Sequence, residues 1–164
     1  CNTAGNNNVA IGVRALLCNT ASNNTGVGFC ALRFNTTGVN NTSVGYKALT
    51  TNTIGASNTA VGVSALTSNT TGNNNTAVGH GSLQNNTVGS YNTAVGLDAA
   101  LGNTSGIYNT AMGRTAMRNV TGGSRNVGIG GSALRNVANG SNNTGIGFYA
   151  LYSNTAANNT AVGF

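Results

Sequence analysis

A glycine preceded by an aliphatic residue returns along this chain at Gly12, Gly28, Gly45, Gly62, Gly79, Gly96, Gly113, Gly130, Gly147 and Gly163. The spacings are 16, then seven of 17, then 16 residues. So short a period constrains the fold more than any other feature, because each repeat is one small unit that must bury its apolar side chains against its neighbours. The residue before the glycine is Val or Ile, or Met at Met112. Two before it stand only Ala, Gly or Ser, and three before it Thr, with Val9 and Val127 as replacements. Four before it every repeat carries Asn, from Asn8 to Asn159. After the glycine come Ala at offset three, with Ser82 once, and Leu at offset four, with Ala100 and Met117 as variants. An Asn-Thr pair then follows, as in Asn52-Thr53 and Asn69-Thr70, and a second glycine column runs from Gly38 to Gly140.

Seventeen residues are too few for a two-helix repeat and fit one coil of a β-solenoid. The expected fold is all-β: a parallel β-solenoid, or β-roll, of about ten coils, with residues 1–164 forming a single repetitive domain. Thr-Ala-Val is a short period-two strand with Thr and Val on one face and Ala on the other. The glycines supply turn conformations that a Cβ would hinder, and stacked Asn side chains can form amide ladders at the strand spacing. The core is expected to be thin, built from the Val, Ala and Leu columns with the Thr methyl packed beside them. On that assignment Val78→Asp would place an unpaired charge inside. At about 4.8 Å per coil the stack would be a rod of roughly 45–50 Å. The chain opens inside a repeat and closes on Thr160-Ala161-Val162-Gly163-Phe164 without a polar cap. That reads as a segment of a longer repetitive protein, or as a unit that stacks end to end.

Charge narrows the function. Lys and Arg number 7, Asp98 is the one acid and His80 the one histidine, so 5% of residues are charged against about 25% in ordinary domains. Acid–base catalysis needs paired titratable groups, so no enzyme, cofactor or metal site is expected. No apolar run is long enough for a spanning helix, and membrane insertion is not expected. A net charge of +6 suits an acidic glycan. With no nucleic-acid module around the charges, nucleic acid is not an expected partner.

The run Asn-Asn-Thr-Ala-Val-Gly at Asn74 to Gly79, followed by Ala-Leu as in Ala65-Leu66, resembles the head repeats of trimeric autotransporter adhesins. It is still more similar to the Asn-Thr-Ala-Val-Gly repeats of phage tail fibres and other bacterial surface fibres. The resemblance covers essentially the whole chain. It implies a left-handed parallel β-roll, often a homotrimer, displayed outside the cell or on a virion and used for attachment or as a stalk. The autotransporter repeat is shorter than 17 residues and richer in charge. Such repeats carry structure rather than chemistry, so no catalytic residue is transferred.

Several residues are candidate sites. Cys1 and Cys18 share a repeat position and would lie one coil apart, within reach of a disulfide or as two small buried thiols. Cys30 falls on a variable, outward position shared with Arg14, Lys47 and Asp98. His80, with no carboxylate expected near it, is not a metal ligand. Tyr91, Tyr108 and Arg125 occupy one position in successive repeats and would form a ladder of rings ending in a guanidinium. With Arg114 they are the candidate contacts for a surface carbohydrate, or simply stabilise the stack. Asn-x-Thr/Ser acceptors occur at Asn23, Asn40, Asn69, Asn74, Asn85, Asn103, Asn142 and Asn158, expected at or near the outward turn and open to glycosylation.

The functional expectation is a structural extracellular fibre or stalk, self-assembling end to end or as a homotrimer. An adhesin or tail-fibre head that contacts glycans is the alternative. Ice binding by a regular Thr column is the third class, weakened by an inward reading of that column, since Val9 and Val127 replace Thr.

Overall fold

A computed structural model describes residues 4–164. Cys1, and with it the Cys1–Cys18 bridge, lies outside the described residues. Ten three-residue strands follow one another: β1 Val9–Ile11, β2 Thr25–Val27, β3 Thr42–Val44, β4 Thr59–Val61, β5 Thr76–Val78, β6 Thr93–Val95, β7 Thr110–Met112, β8 Val127–Ile129, β9 Thr144–Ile146 and β10 Thr160–Val162. They form one sheet in the order β1 to β10. Every adjacent pair is parallel, with equivalent residues opposite each other, as in Thr59↔Thr76, Ala60↔Ala77 and Val61↔Val78. The described residues contain no helix. The fold is therefore the β-solenoid that the 17-residue period implies.

A three-residue strand gains little alone, so the ladder extends around the coil. Leu49 N donates to Ala65 O at 2.9 Å, Thr53 N to Thr70 O at 3.0 Å and Thr70 N to Thr87 O at 2.9 Å. Turns thus pair with turns as strands pair with strands.

The direction of the strand side chains corrects the expected core. Ala60, Ala77, Ala94 and Ala111 are fully buried, while the flanking Thr and Val residues are half-buried or exposed. Val78 keeps 36% of its surface. Thr and Val do share a face, but it is the outer one. The interior is filled from the other side of the coil by Leu32, Leu49, Leu66, Leu83 and Leu134, all at 0% exposure, with Ala48, Ala65, Ala99 and Ala116 beside them. Only a very small residue fits opposite those leucines. At Gly26 an added Cβ would lie 3.2 Å from Leu16 Cγ, and at Gly128 one would lie 2.7 Å from Met117 Cγ. The larger Met117 is thus matched by a residue with no side chain.

The rest of the interior is largely polar and is organised by two columns of Asn side chains. In the Asn column before each strand, Asn41, Asn58 and Asn75 donate through Nδ2 to Gly55 O, Gly72 O and Gly89 O, each at 2.8 Å. Each side-chain oxygen accepts the backbone N–H of the next Asn, as from Asn58 to Asn41 at 2.9 Å. In the second Asn column the amides bond one another, Asn52 to Asn35 at 2.7 Å and Asn69 to Asn52 at 2.8 Å. The same Nδ2 atoms also donate to Gly55 O and Gly72 O. Buried amides are tolerated because both ends are satisfied.

The coil closes through left-handed backbone. The glycine after each strand has φ between 120 and 136°, and a Cβ on Gly62 would sit 2.6 Å from Gly79 O. That column cannot hold another residue. Three further positions per coil are left-handed without being glycine, exemplified by Asn40, Lys47 and Leu49 at φ 60, 54 and 50°.

Candidate functional site

Tyr91 and Tyr108 stand on the left-handed position just before the buried Asn column, at φ 61 and 59°. Elsewhere that position is mostly Asn, the residue best suited to it; Asn142 Nδ2 donates to Asn158 Oδ1 at 3.1 Å there. The two tyrosines are about half exposed and their rings stack at 4.9 Å and 11°. The backbone fixes this, because residues one coil apart are held at the strand spacing, close to the preferred separation of offset rings. Arg125 continues the column at φ 57° and is exposed. The described cation–ring pairs lie elsewhere: Arg33 over Phe34 at 4.5 Å, Lys47 over Tyr46 at 5.2 Å and Arg135 over Tyr152 at 5.8 Å. Arg114 is exposed but stands just after a glycine, so the four candidate glycan contacts divide between two columns.

A second aromatic group is denser. Phe148 meets Tyr149 at 4.1 Å and Phe164 at 5.9 Å, and Tyr149 meets Tyr152 edge-on at 5.0 Å. Arg135 Nη1 donates to Tyr152 Oη at 2.9 Å. Tyr149 and Tyr152 border an open depression of about 360 Å³. The signal was present in the sequence as aromatics recurring just after the glycine, at Phe29, Tyr46, Phe148 and Phe164. Phe29 and Tyr46 also stack, at 5.4 Å and 12°.

Three expectations change. His80 does have a carboxylate beside it: Asp98, one coil on, has Oδ1 3.9 Å from His80 Nδ1 and Oδ2 3.5 Å from Arg118 Nε. The next coil brings the two together because their positions differ by a single step in the repeat. No group of three metal-ligating side chains occurs among the described residues. Cys30 is buried, not outward, since its short side chain stops where Arg14 and Lys47 reach on into solvent. Cys18 is exposed rather than buried.

Of the Asn-x-Thr/Ser acceptors, Asn23, Asn40, Asn74, Asn85, Asn142 and Asn158 are exposed. Asn69 and Asn103 are 0% and 1% exposed and belong to the inner amide ladder, with Nδ2 bonded to Asn52 and Asn86. A glycan on either would require tearing the ladder open, so the outward placement fails for these two. They are themselves members of an inner ladder, whereas each exposed site stands one residue before a ladder Asn, as Asn74 before Asn75 and Asn85 before Asn86, a difference that the shared Asn-x-Thr pattern conceals.

The outer face offers one more surface, the paired Thr and Val columns of all ten strands. Comparison with protein-family models, curated proteins and solved structures gives no match.

Proposed function

We propose that this chain is a segment of a structural fibre or stalk working outside the cell or on a virion surface. The observation that carries this reading is the unbroken inner Asn ladder, repeated with the same hydrogen bonds from Asn24 to Asn159. A chain whose interior is one repeated cross-section is built to extend, and its sparse charge leaves little for chemistry. Its strength is mechanical: backbone and amide hydrogen bonds lie along the axis, and the Leu and Ala columns key each coil into the next. The exposed acceptors, such as Asn23 and Asn74, are where glycans would keep such a rod soluble, and the side columns at Tyr91, Tyr108 and Arg125 are where an adhesive version would meet carbohydrate. Negative-stain electron microscopy and limited thermolysin digestion of the purified chain test the reading. Thin rods that resist cleavage are expected; globular particles, or rapid internal cleavage under native conditions, would overturn it.

A second reading has its own support. Thr42, Thr59, Thr76, Thr93 and Thr110 stand on the outer face in one register, which removes the objection that the Thr column points inward. A flat lattice of Thr and Val is suited to ordered water, and the reading is ice binding. Thermal hysteresis of the purified chain tests it, and freezing-point behaviour like that of an inert protein of equal size would exclude it.

A further inference from the structure

A solenoid repeats its cross-section, so a coil that breaks two columns at once carries something beyond the stack. The coil that follows Gly147 does so. Two after the glycine, earlier coils hold small, polar or charged residues, as at Ser64, Asp98 and Ser132, and this one holds Tyr149. Five after the glycine, where Thr50, Gln84 and Arg135 stand in earlier coils, it holds Tyr152. No earlier coil is aromatic at either position. The two rings meet edge-on at 5.0 Å and 84°, which makes one the floor and the other the wall of the depression they border. Its volume of about 360 Å³ falls in the range of ligand pockets, roughly 300–1,000 Å³. Phe148 extends the apolar floor. Its ring lies 4.1 Å from that of Tyr149 and over Gly131, where an added Cβ would come within 2.9 Å of Phe148 Cδ2.

The charge beside these rings is uncompensated. Arg135 sits over the Tyr152 ring at 5.8 Å and donates through Nη1 to its Oη at 2.9 Å. Its Nε is buried without a partner. The one acidic side chain of the chain, Asp98, pairs with Arg118 and His80. From Ala99 onward there are four arginines and no acid. Arg135 is thus a half-buried cation with no side-chain counter-ion and with donors to spare.

We infer that this corner binds an acidic saccharide, with a pyranose ring laid against Tyr149 and Tyr152 and its carboxylate on the Arg135 guanidinium. A pyranose has a face of C–H groups and a rim of hydroxyls, which suits the flat ring and the Oη of a tyrosine. A carboxylate is planar and accepts two parallel N–H bonds from the guanidinium fork. The rings call for a ligand with an apolar face and the cation for an anion, and an acidic sugar brings both in one residue. The site is separate from the Tyr91–Tyr108 column, which occupies a different position in the repeat. The inference goes beyond the fibre reading and does not rest on it.

The test is calorimetric titration of the purified chain with trigalacturonate and 3′-sialyllactose, each beside its neutral counterpart, the methyl ester and lactose. At least one acidic sugar is expected to bind at about 1 mM or tighter, and its neutral counterpart at least about tenfold more weakly. Arg135→Gln puts in that column a residue that Gln84 shows it accepts. It should weaken the acidic sugar by about tenfold or more and abolish the preference over the neutral one, which a merely structural role of Arg135 would not do. Tyr149→Ser, matching Ser132 in the same column, should weaken acidic and neutral sugars alike by about threefold to tenfold. Tyr46→Val removes a ring from the distant Phe29–Tyr46 stack and should change neither. Should a variant fail to fold, saturation-transfer NMR on the wild type decides: irradiating the aromatic protons should saturate the pyranose C–H protons, and no transfer refutes the contact. No binding of either acidic sugar up to about 10 mM, equal affinity for acidic and neutral forms, or a preference that survives Arg135→Gln overturns the inference. So does tighter binding of AMP, which also joins a ring to an anion. Protease-resistant rods that bind neither sugar would reject this site and leave the fibre reading standing.

Discussion

Replacing Asn69 by Val tests whether the inner amide ladder holds the coils together. Asn69 donates to Asn52 Oδ1 at 2.8 Å and to Gly72 O at 3.0 Å, and it accepts from Asn86 Nδ2 at 2.8 Å. Two of the three partners have a second bond, since Gly72 O keeps Asn58 Nδ2 at 2.8 Å and Asn86 Nδ2 keeps Gly89 O at 2.9 Å. The lasting damage is one orphan, Asn52 Oδ1, sealed in the interior at about 1–3 kcal/mol, with roughly 1 kcal/mol more for the weakened Asn86 amide. The buried methyls of Val return about 1 kcal/mol. Steric misfit does not contribute, because Val120 and Val137 occupy the same column at 0% exposure. The net loss is about 2 kcal/mol, or a fall in melting temperature of about 4–8 °C for a chain of this length. Urea and thermal unfolding followed by circular dichroism measure it. The ladder makes a sharper demand on the double variant N52V/N69V. It also leaves a single orphan, Asn35 Oδ1, and a single weakened amide, so its cost should fall short of the sum of the single variants by one orphan and one weakened amide, about 2–4 kcal/mol. Strict additivity, or a loss below about 0.5 kcal/mol for Asn69→Val, would refute the ladder as a stabilising element.

Leu66→Ala empties a fully buried position and is expected to destabilise by about 2–5 kcal/mol. Val78→Asp lies on the outer face and should cost less than about 1 kcal/mol; the same unfolding curves report both, and reversed magnitudes would invert the assigned faces. Gly62→Ala brings a Cβ to 2.6 Å from Gly79 O at a left-handed φ, so a loss of more than about 3 kcal/mol is expected, and an unchanged melting curve would show that the turn can shift. Tyr108→Asn loses about 0.5–1.5 kcal/mol of ring stacking and relieves about 1 kcal/mol of left-handed strain. Its melting temperature should stay close to wild type, and a large fall would show that Tyr108 holds the coils together rather than presenting a surface.

The fold was legible because a period of 17 with a residue-type restriction at nearly every position leaves few shapes. What misled was reading hydrophobicity as burial. The column restricted to Ala, Gly and Ser is the inner one, since size is limited only where the opposite wall is close, as Gly128 facing Met117 shows. The column that admits Met112 beside Val and Ile is outer. Leu66 at φ 51° was not legible as a left-handed residue, because leucine carries no local preference for that region and only the packed interior holds it there. The Tyr91–Tyr108 stack was readable from position alone. The ion pair of His80 with Asp98 and the burial of Cys30 were not, because each depends on how far a side chain reaches across to the neighbouring coil.

The two Asn columns obey different rules, and the hydrogen bonds explain why. In the column before the strands, each side-chain oxygen accepts the backbone N–H of the next coil, as Asn75 accepts from Asn92 at 3.0 Å, so losing one Asn orphans a buried main-chain donor that no side-chain change can remove. That column is Asn in all ten coils. The second column joins side chain to side chain, so a run of residues can turn apolar together and leave only its boundary unpaired. Val120 and Val137 are such a run, and the boundary is visible: Asn103 Oδ1, which would face the next amide, is buried without a partner. Through those coils the first ladder continues, with Asn126 N on Asn109 Oδ1 at 3.0 Å and Asn143 N on Asn126 Oδ1 at 2.9 Å. One ladder therefore sets the register of every coil, while the other adds stability where it is present and yields to hydrophobic packing where it is not.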